Sequence, residues 1–90
     1  MKFIVETNRI VAQTQDGIQE GEITWSQAGE SLIIIDHTYV DDAFRGQGIA
    51  ALLVAEAVTF AREHQKKVMP LCPFAKKEFD TKKEYQDLLN

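Results

Sequence analysis

Apolar residues in the first half of the chain fall in short runs separated by turn residues, a pattern typical of β-strands. Residues 3–5 and 9–14 predict a broken first strand, and Asp16-Gly17 supplies the positive φ angles of a tight turn. A second strand is expected over residues 20–27. Residues 31–40 are apolar at their centre on both faces, which predicts a central strand covered on both sides.

The apolar spacing changes to that of a helix in the second half of the chain. A helix of about sixteen residues is expected after Arg45-Gly46-Gln47-Gly48. A short strand over residues 68–73 and one or two short helices over residues 74–89 complete the pattern. Strand, helix and strand in this order predict two parallel strands joined by a crossover. The fold class is therefore α+β (α/β): an antiparallel meander followed by one β-α-β unit, with residues 1–90 forming a single domain.

Composition limits the binding partners and the cellular compartment that we expect for this chain. The net charge of −4 does not provide the broad positive field that binding to DNA or RNA requires, so no nucleic-acid partner is expected. A single cysteine, Cys72, permits neither an intrachain disulfide nor a cysteine-based metal site, and no metal ligands are predicted. A reducing, cytoplasmic setting fits this cysteine usage best. We expect no secretory leader and no membrane span, since no apolar run approaches about 20 residues.

The β-α-β order predicts where a ligand would bind. The loop after the first parallel strand and the end of the second lie on the same edge of the sheet, and this edge collects His37, residues 40–48 and Cys72. Gly46 and Gly48 at a helix start would let backbone amides approach an anion, with Arg45 adding a charged fork. A plain strand-to-helix turn explains the same glycines equally well. The segment is neither a Walker loop nor a dinucleotide fingerprint.

Cys72 and His37 are the candidate catalytic residues on this edge. Pro73 stops the strand, and a helix beginning near Phe74 or Ala75 would direct amides at the Cys72 thiol and lower its pKa. The competing interpretations are a small buried hydrophobe for Cys72 and a half-buried imidazole for His37. A hydrolase triad with Asp36 is disfavoured, because adjacent residues of a regular strand point to opposite faces.

Three motifs in order, with a fourth near the end of the chain, resemble the small, truncated single-domain branch of the GNAT superfamily of acetyl-CoA-dependent N-acetyltransferases. They are the strand end His37-Thr38-Tyr39-Val40, the pyrophosphate loop Arg45-Gly46-Gln47-Gly48-Ile49-Ala50, the segment Pro70-Leu71-Cys72 and the closing Tyr85-Gln86-Asp87-Leu88. The resemblance covers about two thirds of the chain, from Ile34 to Leu89. It implies a GNAT-like fold in which the cofactor, acetyl-CoA, lies between two splayed parallel strands.

The resemblance also assigns roles to individual residues. It associates Cys72 with catalysis, for which we expect a role as nucleophile or proton-transfer group, and His37 is the candidate base. The residues that would bind coenzyme A are Tyr39, Val40, Arg45, Gly46, Gln47, Gly48, Ile49 and Ala50. Asp41 departs from the family pattern, in which Pro often follows the valine of the strand end.

The partners implied are acetyl-CoA and an amine acceptor. The resemblance does not extend to the segments that build the acceptor pocket in full-length members, so it leaves the acceptor open. We expect a monomer or weak homodimer. A non-catalytic acyl-CoA-binding or protein-interaction module remains the alternative.

Overall fold

The computed structural model describes all 90 residues of the chain. Five strands and two α-helices follow one another, with a short 3-10 turn at Asp42–Phe44 and another at Lys83–Leu88. The strands are β1 (Lys2–Glu6), β2 (Arg9–Gln13), β3 (Gln19–Gln27), β4 (Leu32–Val40) and β5 (Lys67–Pro70), and the helices are α1 (Ile49–Glu63) and α2 (Pro73–Thr81). Neither helix is long and apolar enough to cross a membrane.

One sheet contains all five strands in the order β1-β2-β3-β4-β5. The first four strands pair antiparallel with their neighbours, and β5 pairs parallel with β4 after the α1 crossover. The predicted meander followed by a β-α-β unit is therefore confirmed. The fold class predicted from the sequence is correct.

The beginning of the chain differs from the sequence prediction. Residues 3–5 and 9–14 do not form one broken strand but two paired strands, in which Glu6 lies opposite Arg9. The two residues between them make a tight turn, and Asn8 takes a φ of 61° there. Asparagine tolerates this left-handed conformation better than most residues, which is why a hairpin forms without glycine.

The helical segments all pack on one face of the sheet. Ile33 and Ile35 of β4 are fully buried on this face, in the same core cluster as the buried residues of both helices and of the last 3-10 turn. Ile34 points to the opposite face and stays half-buried. The prediction that β4 is covered on both sides was therefore wrong: β4 is central within the sheet, but its outer face carries no helix.

Helix α1 is held to the sheet by residues at helical spacing. Ile49, Leu53, Ala57 and Ala61 recur every four residues and are buried against the strands. Phe60 packs its ring on Trp25 of β3, with ring centroids 4.8 Å apart. This packing fixes the beginning of α1 relative to the end of β4, where the candidate loop lies.

Gly21 of β3 determines how closely β3 approaches the end of β4. It lies opposite Val40, and a Cβ atom added to it would meet the Tyr39 carbonyl oxygen at 2.5 Å. Its backbone lies outside the left-handed region that favours glycine. The glycine is therefore required by the close approach of two backbones and not by its φ angle.

We predict that Gly21→Ala destabilises the protein by about 1–3 kcal/mol, because the strands must separate to admit the methyl group. At an unstrained site, alanine for glycine stabilises by reducing the entropy of the unfolded chain. The sign of the change is therefore diagnostic, and urea unfolding monitored by Trp25 fluorescence measures it. An unchanged or higher free energy of unfolding would contradict the close approach.

Candidate active site

A cavity of about 570 Å³ opens at the end of β4, where the sequence predicted a ligand site. Its walls are the last residues of β4, the loop that leads into α1, the first turn of α1 and one face of α2. The lining residues are Thr38, Tyr39, Val40, Phe44, Arg45, Gly46, Gly48, Ile49, Ala50, Ala51, Phe74 and Glu78. This volume lies within the ordinary range of small-molecule sites.

The loop before α1 has the geometry of an anion site. Gly46 and Gly48 take φ angles of 84° and 76°, and nothing lies within 4 Å of a Cβ atom placed on either. Gly48 is the N-cap of α1, and no side chain accepts a hydrogen bond from the first amides of the helix. These amides and the positive end of the helix dipole are therefore available to a negatively charged ligand.

The acidic residues before this loop have structural partners. The Asp41 carboxylate accepts a hydrogen bond from the Ala43 amide at 3.0 Å and caps the short 3-10 turn. Asp42 forms an ion pair with Arg45, with 2.9 Å between Oδ1 and Nε. Both partners of this pair are largely exposed, so the interaction is weak and Arg45 can exchange it for another anion.

The parallel strands separate beside the cavity. Pairing of β4 with β5 ends at Ile35 and Pro70. The amides of Leu71 and Cys72 then both donate to the Ile35 carbonyl oxygen, at 3.1 and 3.2 Å. From Asp36 to Val40, β4 has no strand beside it on this side. An opening therefore separates the end of β4 from the start of α2.

A β-bulge lies at the same point of β4. Thr24 pairs with His37 and Trp25 pairs with Ile35, which leaves Asp36 as the extra residue. The Ser26 hydroxyl donates to Asp36 Oδ2 at 2.8 Å. Asp36 and His37 therefore both point to the outer face of the sheet. The sequence argument that adjacent residues must point to opposite faces was wrong here, because the bulge interrupts the alternation.

Cys72 lies on the inner side of the opening as the N-cap of α2 and is only 7% exposed. Its thiol donates to the Thr38 hydroxyl oxygen at 3.5 Å, and in the thiolate form the hydroxyl would donate instead. The Thr38 side chain lies on the inner face, since Thr38 pairs with the buried Ile23. His37 is thus on the opposite face from Cys72, and the two do not form a thiol–imidazole pair.

Several groups act on the pKa of the Cys72 thiol. Burial raises the pKa, but hydrogen bonding with Thr38 and the amides of Ala75 and Phe74 lower it by more, so that it lies below its ordinary value. Neither of the α2 amides makes a capping hydrogen bond of standard geometry, so they act mainly as dipoles at the helix start. A helix start after Cys72 was expected to have this effect.

The structure gathers most of the predicted cofactor-binding residues around one cavity. Tyr39, Val40, Arg45, Gly46, Gly48, Ile49 and Ala50 all line it. Gln47 belongs to the same loop but is not part of the lining. Cys72 is next to the cavity through its neighbours Thr38 and Phe74, whereas His37 faces away from it.

Phe74 and Glu78 of α2 were not predicted as site residues. They are four residues apart and therefore share one helix face. Glu78 forms an ion pair with Lys82 at 2.8 Å, which compensates its charge at the cavity wall. Their spacing of four residues is visible in the sequence. That this face of α2 lies against the cavity is not, because it depends on the direction in which α2 leaves Cys72.

Comparisons with known proteins agree with this geometry. The family model for GCN5-related N-acetyl-transferase matches residues 9–88, and the chain belongs to this family. A solution structure of a GCN5-like protein from Staphylococcus aureus is 30% identical, with a TM-score of 0.79. That match covers 99% of this chain and 87% of the other. No curated protein sequence matches the chain significantly.

Larger proteins share the fold over part of their length. The GNAT family N-acetyltransferase YhbS from Escherichia coli, solved in complex with CoA, is 26% identical with a TM-score of 0.63. The match covers 70% of this chain but only 38% of that structure. A Mycobacterium tuberculosis protein, also solved with CoA, has a TM-score of 0.67 at 24% identity, which shows a common fold. Its match covers 89% of this chain and 56% of that one.

The environment of Cys72 predicts the effect of one substitution on its titration. Thr38→Val removes the hydroxyl that would stabilise the thiolate while keeping the side-chain volume, so we expect the Cys72 pKa to rise and the thiolate fraction at a given pH to fall. Thiolate absorbance at 240 nm, corrected with a Cys72→Ala variant, measures this. Thr24→Val, on the outer face of β3, serves as the control and should leave the titration midpoint unchanged. Identical titration midpoints in wild type, Thr38→Val and Thr24→Val would contradict a hydrogen bond from the Thr38 hydroxyl to the Cys72 thiolate.

Proposed function

We propose that this protein is an acetyl-CoA-dependent N-acetyltransferase that transfers an acetyl group to an amine through Cys72. The observation that carries the proposal is the position of a thiol of lowered pKa beside a cavity whose floor is an uncapped helix start. An anion site and a nucleophile would thereby lie beside one cavity. Acetyl-CoA has the matching chemistry, with a pyrophosphate at one end and a thioester at the other.

The loop before α1 would hold the pyrophosphate. Its amides, from Gly46 to Ala50, lie at the positive end of the α1 dipole, and the glycines leave room for close approach of phosphate oxygens. Arg45 would leave Asp42 to contact a phosphate, since its present ion pair is exposed. The residues present therefore fit a diphosphate group.

The unpaired edge of β4 would hold the pantetheine arm. Backbone groups of Tyr39 and Val40 border the cavity where β5 has moved away, and they can form hydrogen bonds with amides of the arm. Such pairing would extend the sheet in place of the missing strand. It would bring the thioester toward Thr38 and Cys72.

Cys72 would act on the acetyl group that acetyl-CoA supplies as a thioester. A thiolate is the reactive form of cysteine, and the lowered pKa increases its share at neutral pH. His37, on the outer face, would take a proton from the acceptor amine and not from Cys72. Both predicted catalytic residues are thus retained, Cys72 acting on the acetyl group and His37 on the acceptor amine.

A non-catalytic acyl-CoA-binding module is the second candidate. The observation that favours it is the low exposure of Cys72, whose side chain is not part of the cavity lining. Such a module needs only the loop and the β4 edge. Binding without transfer distinguishes the module from an enzyme.

The proposed pyrophosphate site predicts that Arg45→Gln weakens CoA binding by about five- to tenfold, because it removes one exposed cationic contact. Lys2→Gln, which makes the same charge change on the distant strand β1, is the matched control. Isothermal titration with CoA and with desulfo-CoA measures both affinities. Equal affinity of wild type and Arg45→Gln would place the pyrophosphate elsewhere.

The proposed role of Cys72 predicts that Cys72→Ala abolishes acetyl transfer while CoA affinity stays within about twofold, since the cysteine makes no contact with the pyrophosphate. Transfer is followed by release of free CoA in the presence of an amine, and an acetylated Cys72 is sought by mass spectrometry. A variant that retains full transfer would exclude the cysteine mechanism. A wild type that binds CoA but acetylates no amine would favour the module.

A further inference from the structure

The outer face of the sheet carries a carboxylate without an ion-pair partner at the opening between β4 and β5. The bulge directs Asp36 to this face, where its only side-chain partner is the Ser26 hydroxyl. Arg9 lies on the same face, but Glu6 and Glu22 hold it at 2.6 and 2.7 Å. Asp36 therefore has no cationic partner within the protein.

A backbone hydrogen bond brings Asp36 close to Cys72, the proposed nucleophile. The Cys72 amide donates to the carbonyl oxygen of Ile35, the residue that immediately precedes Asp36. The Cys72 sulfur contacts Thr38 on the inner face, and the Asp36 carboxylate lies on the outer face. The carboxylate and the thiol thus flank one opening from opposite sides.

Two partly exposed apolar side chains lie on the same outer face of the sheet as Asp36. Tyr39 pairs with Glu22 and is 42% exposed, and its ring stacks on His37 with centroids 6.0 Å apart. Met69 of β5 pairs with Ile34 and is 36% exposed. A carboxylate on a face that also exposes apolar side chains matches an ammonium group carried on an apolar stem.

We propose that the outer face is the acceptor side of the site and that Asp36 selects acceptors whose amine is an alkylammonium ion in solution. This inference rests on the proposed acetyl transfer. Asp36 attracts the cation, and the stem of the acceptor lies along Tyr39 and Met69. Asp36 is thus a specificity-determining residue, while proton transfer belongs to His37 beside it.

The protons and electron pairs balance with this assignment. The ammonium loses one proton to His37, and the free lone pair then bonds to the acetyl carbon. The acetyl group is by then on Cys72, whose thiolate has attacked acetyl-CoA and released CoA as its thiolate. The bond between the acetyl carbon and the Cys72 sulfur breaks, and this sulfur leaves with its electron pair. The new amide nitrogen loses a second proton, which the departing thiolate takes up, and His37 returns its proton to water.

The test compares two acceptors of similar shape, benzylamine, which is cationic at neutral pH, and aniline, which is neutral. For Asp36→Asn we expect a loss of about fivefold in kcat/KM for benzylamine and no change for aniline. Glu30→Gln, in the turn before β4, removes the same charge and should change neither value. Nα-acetyl-lysine amide is a third acceptor, and a preference for it would assign the ammonium to a lysine side chain of a peptide.

A binding measurement separates this inference from the proposed function. Benzylammonium should shift the backbone amide NMR signals of Asp36 and His37 in wild type without CoA, and these shifts should be lost in Asp36→Asn. If wild type acetylates neither amine but shows the shifts, the proposed transfer fails and cation recognition stands. Absence of the shifts, or an equal loss of activity with benzylamine and aniline, would overturn the role of Asp36.

Discussion

The early end of pairing between β4 and β5 is the constraint on which the rest of the site depends. The two strands share only four residue pairs, the last of which joins Ile35 to Pro70. The amides of Leu71 and Cys72 both turn to the Ile35 carbonyl oxygen, so the ladder goes no further along β4, and Pro73 fixes the start of α2 directly afterwards. A strand edge is left without a partner in the middle of a sheet, where regular pairing would have closed it.

Both α-helices begin near this opening. The positive end of each helix dipole faces a different kind of anion. Helix α1 begins at an uncapped glycine, suited to an external anion, whereas α2 begins at Cys72, whose own side chain becomes an anion when the thiol loses its proton. The same backbone property therefore underlies both the proposed anion binding at α1 and the proposed reactivity of the Cys72 thiol. The close approach of β3 to the Tyr39 carbonyl at Gly21 keeps the end of β4 in position between them.

Sequence patterns predicted the elements of the fold and most of the cavity wall, because strand alternation, helix spacing and the glycine loop are local properties. The features they missed depend on contacts between distant segments. Predicting the hairpin at Asn8 would require knowing that β1 folds back on β2. Predicting that Ile34 is only half-buried would require knowing on which face of the sheet each helix packs. The bulge at Asp36 is visible only in the pairing of β4 with β3.

The bulge has one further consequence for how the strand is built. Ile35 points inward and His37 outward, which is the order that two consecutive residues of a regular strand would take. Removing Asp36 from the chain would therefore leave every other side chain of β4 on its present face and in its present register. The strand does not need this residue to pair with its neighbour. Asp36 is an insertion that adds one acidic group beside the opening at little cost to the sheet.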